Sequence, residues 1–158
     1  MKKIVWVRID DRLIHGQVMT AWVKYADANE VAIIDEQLKN DVFTKTIMQS
    51  LIPKTLKLTV LGQEEAVTYL KEDDPKAKII ILTKGPVPLL HLIKEGVVYD
   101  SINLGGMGMR TGRKTLFKNI STSDEENAIF KELLANNVEV SVRIVPTDKA
   151  VTIEKYLK

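Results

Sequence analysis

The segment Asp10-Asp11-Arg12-Leu13-Ile14-His15-Gly16-Gln17 places two carboxylates, a guanidinium and one of the chain's two histidines within eight residues. It follows an apolar run, Ile4–Ile9, and precedes a stretch of helical periodicity, so it belongs to the loop between a first strand and a first helix. A neutral imidazole is a competent nucleophile, and at an unperturbed pKa of about 6.5 roughly three quarters of it is neutral at pH 7. No serine, threonine or cysteine shares the loop, which makes His15 its natural nucleophile. A helix N-terminus beginning at Gly16 and Gln17 offers free backbone N–H groups, and Arg12 offers a planar fork of donors. Those donors suit the oxygens of a phosphoryl group, with Gly16, Gln17 and Asp11 as candidate positions around it. Asp10 or Asp11 would hold Arg12 in place or fix the imidazole tautomer, and the sequence leaves those roles open. The competing account makes the two aspartates a turn and cap, Arg12 a solvated charge and His15 a partly buried, satisfied ring.

Two further segments are candidates for the same rim. Gly105-Gly106-Met107-Gly108-Met109-Arg110-Thr111-Gly112 holds half of the chain's 8 glycines, enough to let backbone approach a ligand closely. It matches neither the dinucleotide fingerprint nor the P-loop, since Thr111 stands where a third glycine belongs and Arg113 interrupts the Gly-Lys-Thr order. Thr83 and Lys84 follow another strand and would supply a hydroxyl and an ammonium, or simply start a helix. His91, in Leu89-Leu90-His91-Leu92-Ile93, has no carboxylate or arginine beside it in sequence and is expected to be structural.

Positioning these groups requires a sheet. Short β-branched runs alternate with amphipathic stretches, the pattern of a mainly parallel sheet with crossover helices. Strands are expected at Ile4–Ile9, Val31–Ile34, Leu56–Leu61, Lys78–Thr83, Ser101–Leu104 and Thr115–Asn119. Val138, Val140, Val142 and Ile144 mark another strand with one wetter face, placed at an edge. Ile14, Val18, Trp22 and Tyr25 share one helical face, as do Phe43, Ile47 and Leu51, and then Ala66, Val67 and Leu70; each stripe is expected to pack on the sheet. Helices are also expected over Pro86–Glu95, stopped by Gly96, from the capping box Ser123-Asp124-Glu125-Glu126 through Leu134, and at Lys149–Leu157. In such a sheet ligands bind beyond the carboxyl ends of the strands, where the three candidate loops fall.

Composition narrows the function. The 158 residues are 45% hydrophobic and 28% charged and contain no cysteine, which excludes a disulfide scaffold and thiolate zinc sites. A net charge of +2, with its signs interleaved, points to no nucleic-acid partner. Met1-Lys2-Lys3 begins like a signal peptide, but Arg8 breaks the apolar run that follows, and no later run is long enough for a membrane span. A single cytoplasmic domain is expected.

The segment Val7-Arg8-Ile9-Asp10-Asp11-Arg12-Leu13-Ile14-His15-Gly16-Gln17-Val18 resembles the hallmark of the IIB component in the mannose/fructose/sorbose family of the bacterial phosphoenolpyruvate-dependent sugar phosphotransferase system. Ile102-Asn103-Leu104-Gly105-Gly106-Met107 and Val142-Arg143-Ile144-Val145-Pro146-Thr147-Asp148 resemble family segments in the same order, so the similarity spans essentially the whole chain, residues 1–158. The resemblance implies an α/β domain with an open, mostly parallel seven-stranded sheet and helices on both faces. It implies a cytoplasmic phosphotransferase component associating peripherally with membrane IIC and IID subunits. His15 would accept a phosphoryl group from a phosphohistidine on a IIA domain and pass it to the sugar, as a protein-Nπ-phosphohistidine–sugar phosphotransferase. Arg12 matches the phosphate-stabilising arginine and Asp10 its accompanying acid, while Met107 and Arg110 are further candidate contacts.

This chemistry needs no cofactor and no metal, because positioned amides and a cation suffice for the charge on the transferring oxygens. Serving two macromolecules in turn calls for modest, transient interfaces. Leu13, Ile14 and Met107, where exposed, would form an apolar ring around His15, although Ile14 is expected in the core. Two rivals remain: a receiver-like phospho-aspartate regulatory module built on Asp10, Asp11, Asp35, Thr83 and Lys84, and a non-catalytic small-molecule binding module using the glycine loop. The receiver reading fits poorly, since Leu61-Gly62-Gln63 after the third strand contains no aspartate.

Overall fold

The computed structural model describes residues 1–157, apart from the side chains of Gln17 and Val18. In chain order the elements are β1 (Lys3–Asp10), α1 (Gly16–Ala26), β2 (Glu30–Ile34), α2 (Val42–Ser50), β3 (Lys57–Leu61), α3 (Gln63–Lys71), β4 (Lys78–Thr83), α4 (Val87–Lys94) and β5 (Ser101–Gly106). There follow β6 (Lys114–Phe117), β7 (Ile120–Thr122), α5 (Asp124–Ala135), β8 (Glu139–Val142) and β9 (Val151–Thr152). Short 3-10 turns lie at Leu38–Asn40 and Glu154–Tyr156.

Successive residues of a strand point to opposite faces, and the central strands are apolar at both parities, as burial on both sides demands. In β2, Val31 and Ile33 pack on one face, Ala32 and Ile34 on the other; in β4, Ile80 and Leu82 oppose Ile79 and Ile81. The first face is covered by α1 and α2 through Met19, Trp22 and Met48. The second is covered by α3, α4 and α5 through Ala66, Leu70, Leu89, Phe130 and Leu133. The result is a seven-stranded sheet in the order β3-β2-β4-β1-β5-β8-β9, parallel except for β9. β1 lies at its centre between β4 and β5, so the loop after β1 opens where the chain crosses from one side of that strand to the other.

Several expectations need correction. Phe43, Ile47 and Leu51 do not pack on the sheet: they are 76%, 45% and 53% exposed, and only Met48 of α2 is buried. Asp41 caps this helix, accepting the Thr44 N–H at 3.0 Å, so local hydrogen bonding sustains a helix that the core holds by one side chain. Tyr25 is likewise 54% exposed, its ring set edge-on to Trp6 and Trp22. β8 is not the edge strand, because the two-residue β9 pairs outside it. The helix expected over Lys149–Leu157 is replaced by β9 and a 3-10 turn, the β-branched Val151 and Thr152 joining the sheet. Thr115–Asn119 is part of a hairpin, β6 and β7, with Lys118 in the left-handed region at the turn. The capping box forms as expected: Ser123 Oγ accepts the Glu126 N–H at 3.1 Å and Glu126 accepts the Ser123 N–H at 3.0 Å.

Candidate functional site

Leu13 N–H donates to the Asp10 carbonyl at 2.9 Å, closing a turn directly after β1. Leu13 itself is left-handed, with φ of 56°, a conformation that costs a branched side chain about 1 kcal/mol or more. Burial of Leu13 and Ile14 in the α1-side core holds it there, so neither residue contributes to an apolar ring on the surface. His15 is then extended and stands at the N-cap of α1, and its side chain does not cap the helix. The first amides of α1 are thereby left for another acceptor. Gly16 is also left-handed and opens into free space, which keeps the approach to those amides unobstructed.

Asp10, fully buried, organises the cluster. Its Oδ1 accepts the Arg12 backbone N–H at 3.1 Å and Arg12 Nε at 3.0 Å, while Oδ2 accepts Arg12 Nη2 at 3.0 Å and Arg8 Nη2 at 3.2 Å. The hydrogen bonds to Asp10 raise the Arg12 pKa above its ordinary value, so this half-exposed guanidinium is a permanent cation. His15 Nε2 lies 3.7 Å from Asp10 Oδ2, and Nδ1 lies 2.8 Å from the Leu13 carbonyl. Of the two roles left open for Asp10, holding Arg12 therefore has the stronger geometry. Asp11 does a different job, since its Oδ2 accepts the Gly108 N–H at 2.6 Å and ties the following loop to the site.

The remaining candidates are mostly engaged elsewhere. Thr83 Oγ1 donates to the Gly85 carbonyl at 2.8 Å. Lys84 Nζ lies 3.6 Å from Asp35, which accepts the amides of Gln37 and Leu38 and so caps a 3-10 turn. Met107 is buried and its backbone pairs with the β6–β7 hairpin, so it is core rather than contact surface. Arg110 is exposed, and its side chain has no partner among the described residues. The Gly16 backbone is in place at the helix start; the Gln17 side chain lies outside the described residues. Among the described residues, no three carboxylate or imidazole groups converge to hold a metal ion.

The glycine segment is not a ligand cradle at its start, because Gly105 and Gly106 belong to β5. A Cβ on Gly105 would overlap the Arg8 guanidinium, and one on Gly106 would come 3.2 Å from Asp10 Oδ1. The pair makes room for two buried charges on the neighbouring strand. Arg8 was not among the residues expected at the site. The spacing Arg8-x-Asp10 in a strand was the available signal, since it sets both charges on one face.

Together the fold and site define a class: an α/β domain whose first helix is entered through an exposed-edge imidazole, beside an arginine gripped by a buried carboxylate. The model of the PTS system sorbose subfamily IIB component matches residues 4–158, and the chain belongs to that family. It is 34% identical over 152 residues to the PTS system sorbose-specific EIIB component of Klebsiella pneumoniae, covering 96% of this chain and 93% of that one. It is 31% identical over 144 residues to the PTS system mannose-specific EIIAB component of Escherichia coli (strain K12), covering 89% of this chain and 44% of that longer protein. The crystal structure of the IIBSor domain of the Klebsiella pneumoniae sorbose permease superposes with a TM-score of 0.91 at 33% identity, over 98% of this chain and 95% of that one. The chain is thus a sugar phosphotransferase system component, and no helix among its described residues is long and apolar enough to cross a membrane.

Proposed function

We propose that residues 1–158 act as a phosphocarrier domain, with His15 accepting a phosphoryl group from a phosphohistidine on a IIA domain and passing it to a sugar entering through membrane IIC and IID subunits. In the first transfer the donor's N–P bond breaks as an N–P bond forms at His15. In the second, that bond breaks as a sugar hydroxyl oxygen takes the phosphorus and releases its proton. The observation that carries the reading is the placement of His15 at the uncapped start of α1, beside an arginine clamped on Asp10. The α1 amides and the outward edge of Arg12 receive the phosphate oxygens, and Gly16 leaves that approach open.

Nδ1 of His15 hydrogen-bonds the Leu13 carbonyl, while Nε2 is buried without a hydrogen-bond partner, 3.7 Å from Asp10 Oδ2. Attack on phosphorus needs a lone pair that the donor can reach, so the ring must turn to bring a nitrogen to the surface when a donor docks. The fusion of A and B components in the mannose-specific relative supports a IIA domain as the donor. The domain works in the cytoplasm, docking on the membrane subunits from that side.

Reconstitution with a phosphorylated IIA domain, followed by mass spectrometry under alkaline handling, tests the assignment. A single modified residue, His15, with a phosphate stable to alkali and lost in acid, is expected. A hydroxylamine-cleaved label, or one on another residue, would overturn it.

A further inference from the structure

Arg8 is second only to Trp22 in volume among the fully buried side chains, and phosphoryl transfer as derived above gives it no task. Its Nη2 donates to Asp10 Oδ2 and to the Ile144 carbonyl, each at 3.2 Å. Its Nη1 donates to the Arg143 carbonyl at 3.1 Å and to Asn103 Oδ1. The guanidinium lies 5.2 Å from the Trp22 ring centre, and Trp22 Nε1 donates to that same Ile144 carbonyl at 2.9 Å. Gly105 supplies the space. A cation held this deep is costly unless its donors are matched, and here oxygens of the strands and of the loop after β8 receive both terminal nitrogens while the Trp22 ring lies alongside.

Resting on the phosphocarrier reading, we propose that Arg8 is a positioning residue, which fixes the Asp10 carboxylate from the interior and offsets the charge that this carboxylate presents to His15. His15 faces Asp10 from β1, with Arg12 gripping the same carboxylate from the loop and Asp11 turned to Gly108. Arg8 faces Asp10 and Arg12, and Arg143 lies across Trp22 at 5.5 Å from its ring centre. Loss of the Arg8 charge leaves Asp10 more negative towards His15, which favours imidazolium and raises its titration midpoint.

The test follows the His15 ring signals by NMR through a pH titration, together with the pH dependence of phosphoryl transfer from a phosphorylated IIA domain. In Arg8→Met the midpoint rises and the acid limb of the rate profile moves with it. Transfer at pH 7 slows roughly 10- to 100-fold, the usual scale for losing a residue that orients a reactive group. Arg8→Lys returns the midpoint but not the rate, because an ammonium restores charge without the fork. Asn103→Ala lowers stability and leaves the midpoint in place, since the Arg8–Asp10 contact is kept. An unchanged midpoint in folded Arg8→Met, or an equal shift in Asn103→Ala, would overturn the proposal. Should Arg8→Met not fold, Arg8→Lys decides: slowed transfer supports the proposal and a wild-type rate overturns it. A wild type that takes no phosphate on His15, while Arg8→Met still moves the midpoint, removes the phosphocarrier reading and leaves the link between Arg8 and His15 standing.

Discussion

His15 and His91 are almost equally accessible, with side chains 23% and 24% exposed, and each has a carboxylate near Nε2. The contact at His91 is even closer, 2.9 Å from Glu64 Oε1 against 3.7 Å from Asp10 at His15. The differences lie behind the carboxylates. Glu64 is 84% exposed at the start of α3 and is screened by water, while Asp10 is buried and held by two arginines. His91 sits in the last turn of α4, where carbonyls face outward, whereas His15 stands where α1 begins and amides do. Exposure and a nearby acid do not distinguish His15, the proposed carrier, from His91. A rigid acid, a paired cation and the polarity of the adjoining helix end do.

The most severe break of this comparison is to exchange the losses. His15→Ala abolishes phosphoryl incorporation, and His91→Ala leaves it within about twofold of wild type, as measured by radiolabel transfer under alkaline work-up. Next is the acid itself: Asp10→Asn strands Arg8 in the interior and lowers the urea unfolding free energy by about 3 kcal/mol, while Glu64→Gln leaves it unchanged. The glycines sharpen the contrast further. Gly105→Ala must displace the Arg8 guanidinium and costs about 2 kcal/mol, whereas Gly112→Ala meets no neighbour and pays only its left-handed backbone, about 1 kcal/mol.

The smallest effect concerns a third acid, Glu126. Burial pushes its carboxyl up, but hydrogen bonds from Arg113 and the Ser123 amide outweigh that and hold it below the ordinary value. A folded-state pKa depressed in this way stabilises the protein above the unfolded pKa, and the contribution is lost as pH falls through the folded value. Urea titrations between about pH 6 and about pH 3 should therefore show a steeper loss of stability in wild type than in Glu126→Gln.

The candidate cluster was legible because its residues are contiguous: Asp10, Arg12 and His15 fall within six residues, between a run of strand period and one of helix period. The layers followed from the same periodicities, and the Ser123–Glu126 cap was written in four residues. What was not legible depends on distance along the chain. The role of Arg8 requires Asn103 and Arg143, 95 and 135 residues away, and the need for Gly105 appears only when β5 is laid against β1. Glu64 reaches His91 by packing of α3 on α4, which no local pattern announces. The α2 stripe misled for a related reason: helical spacing shows that Phe43, Ile47 and Leu51 share a face, not whether a sheet lies beneath it.

The carbonyls of Arg143 and Ile144 that receive Arg8 impose an order of events during synthesis. Until the stretch leading out of β8 has left the ribosome, the guanidinium lacks two of the oxygens that seat it, and the carboxylate in front of it is steadied chiefly by Arg12.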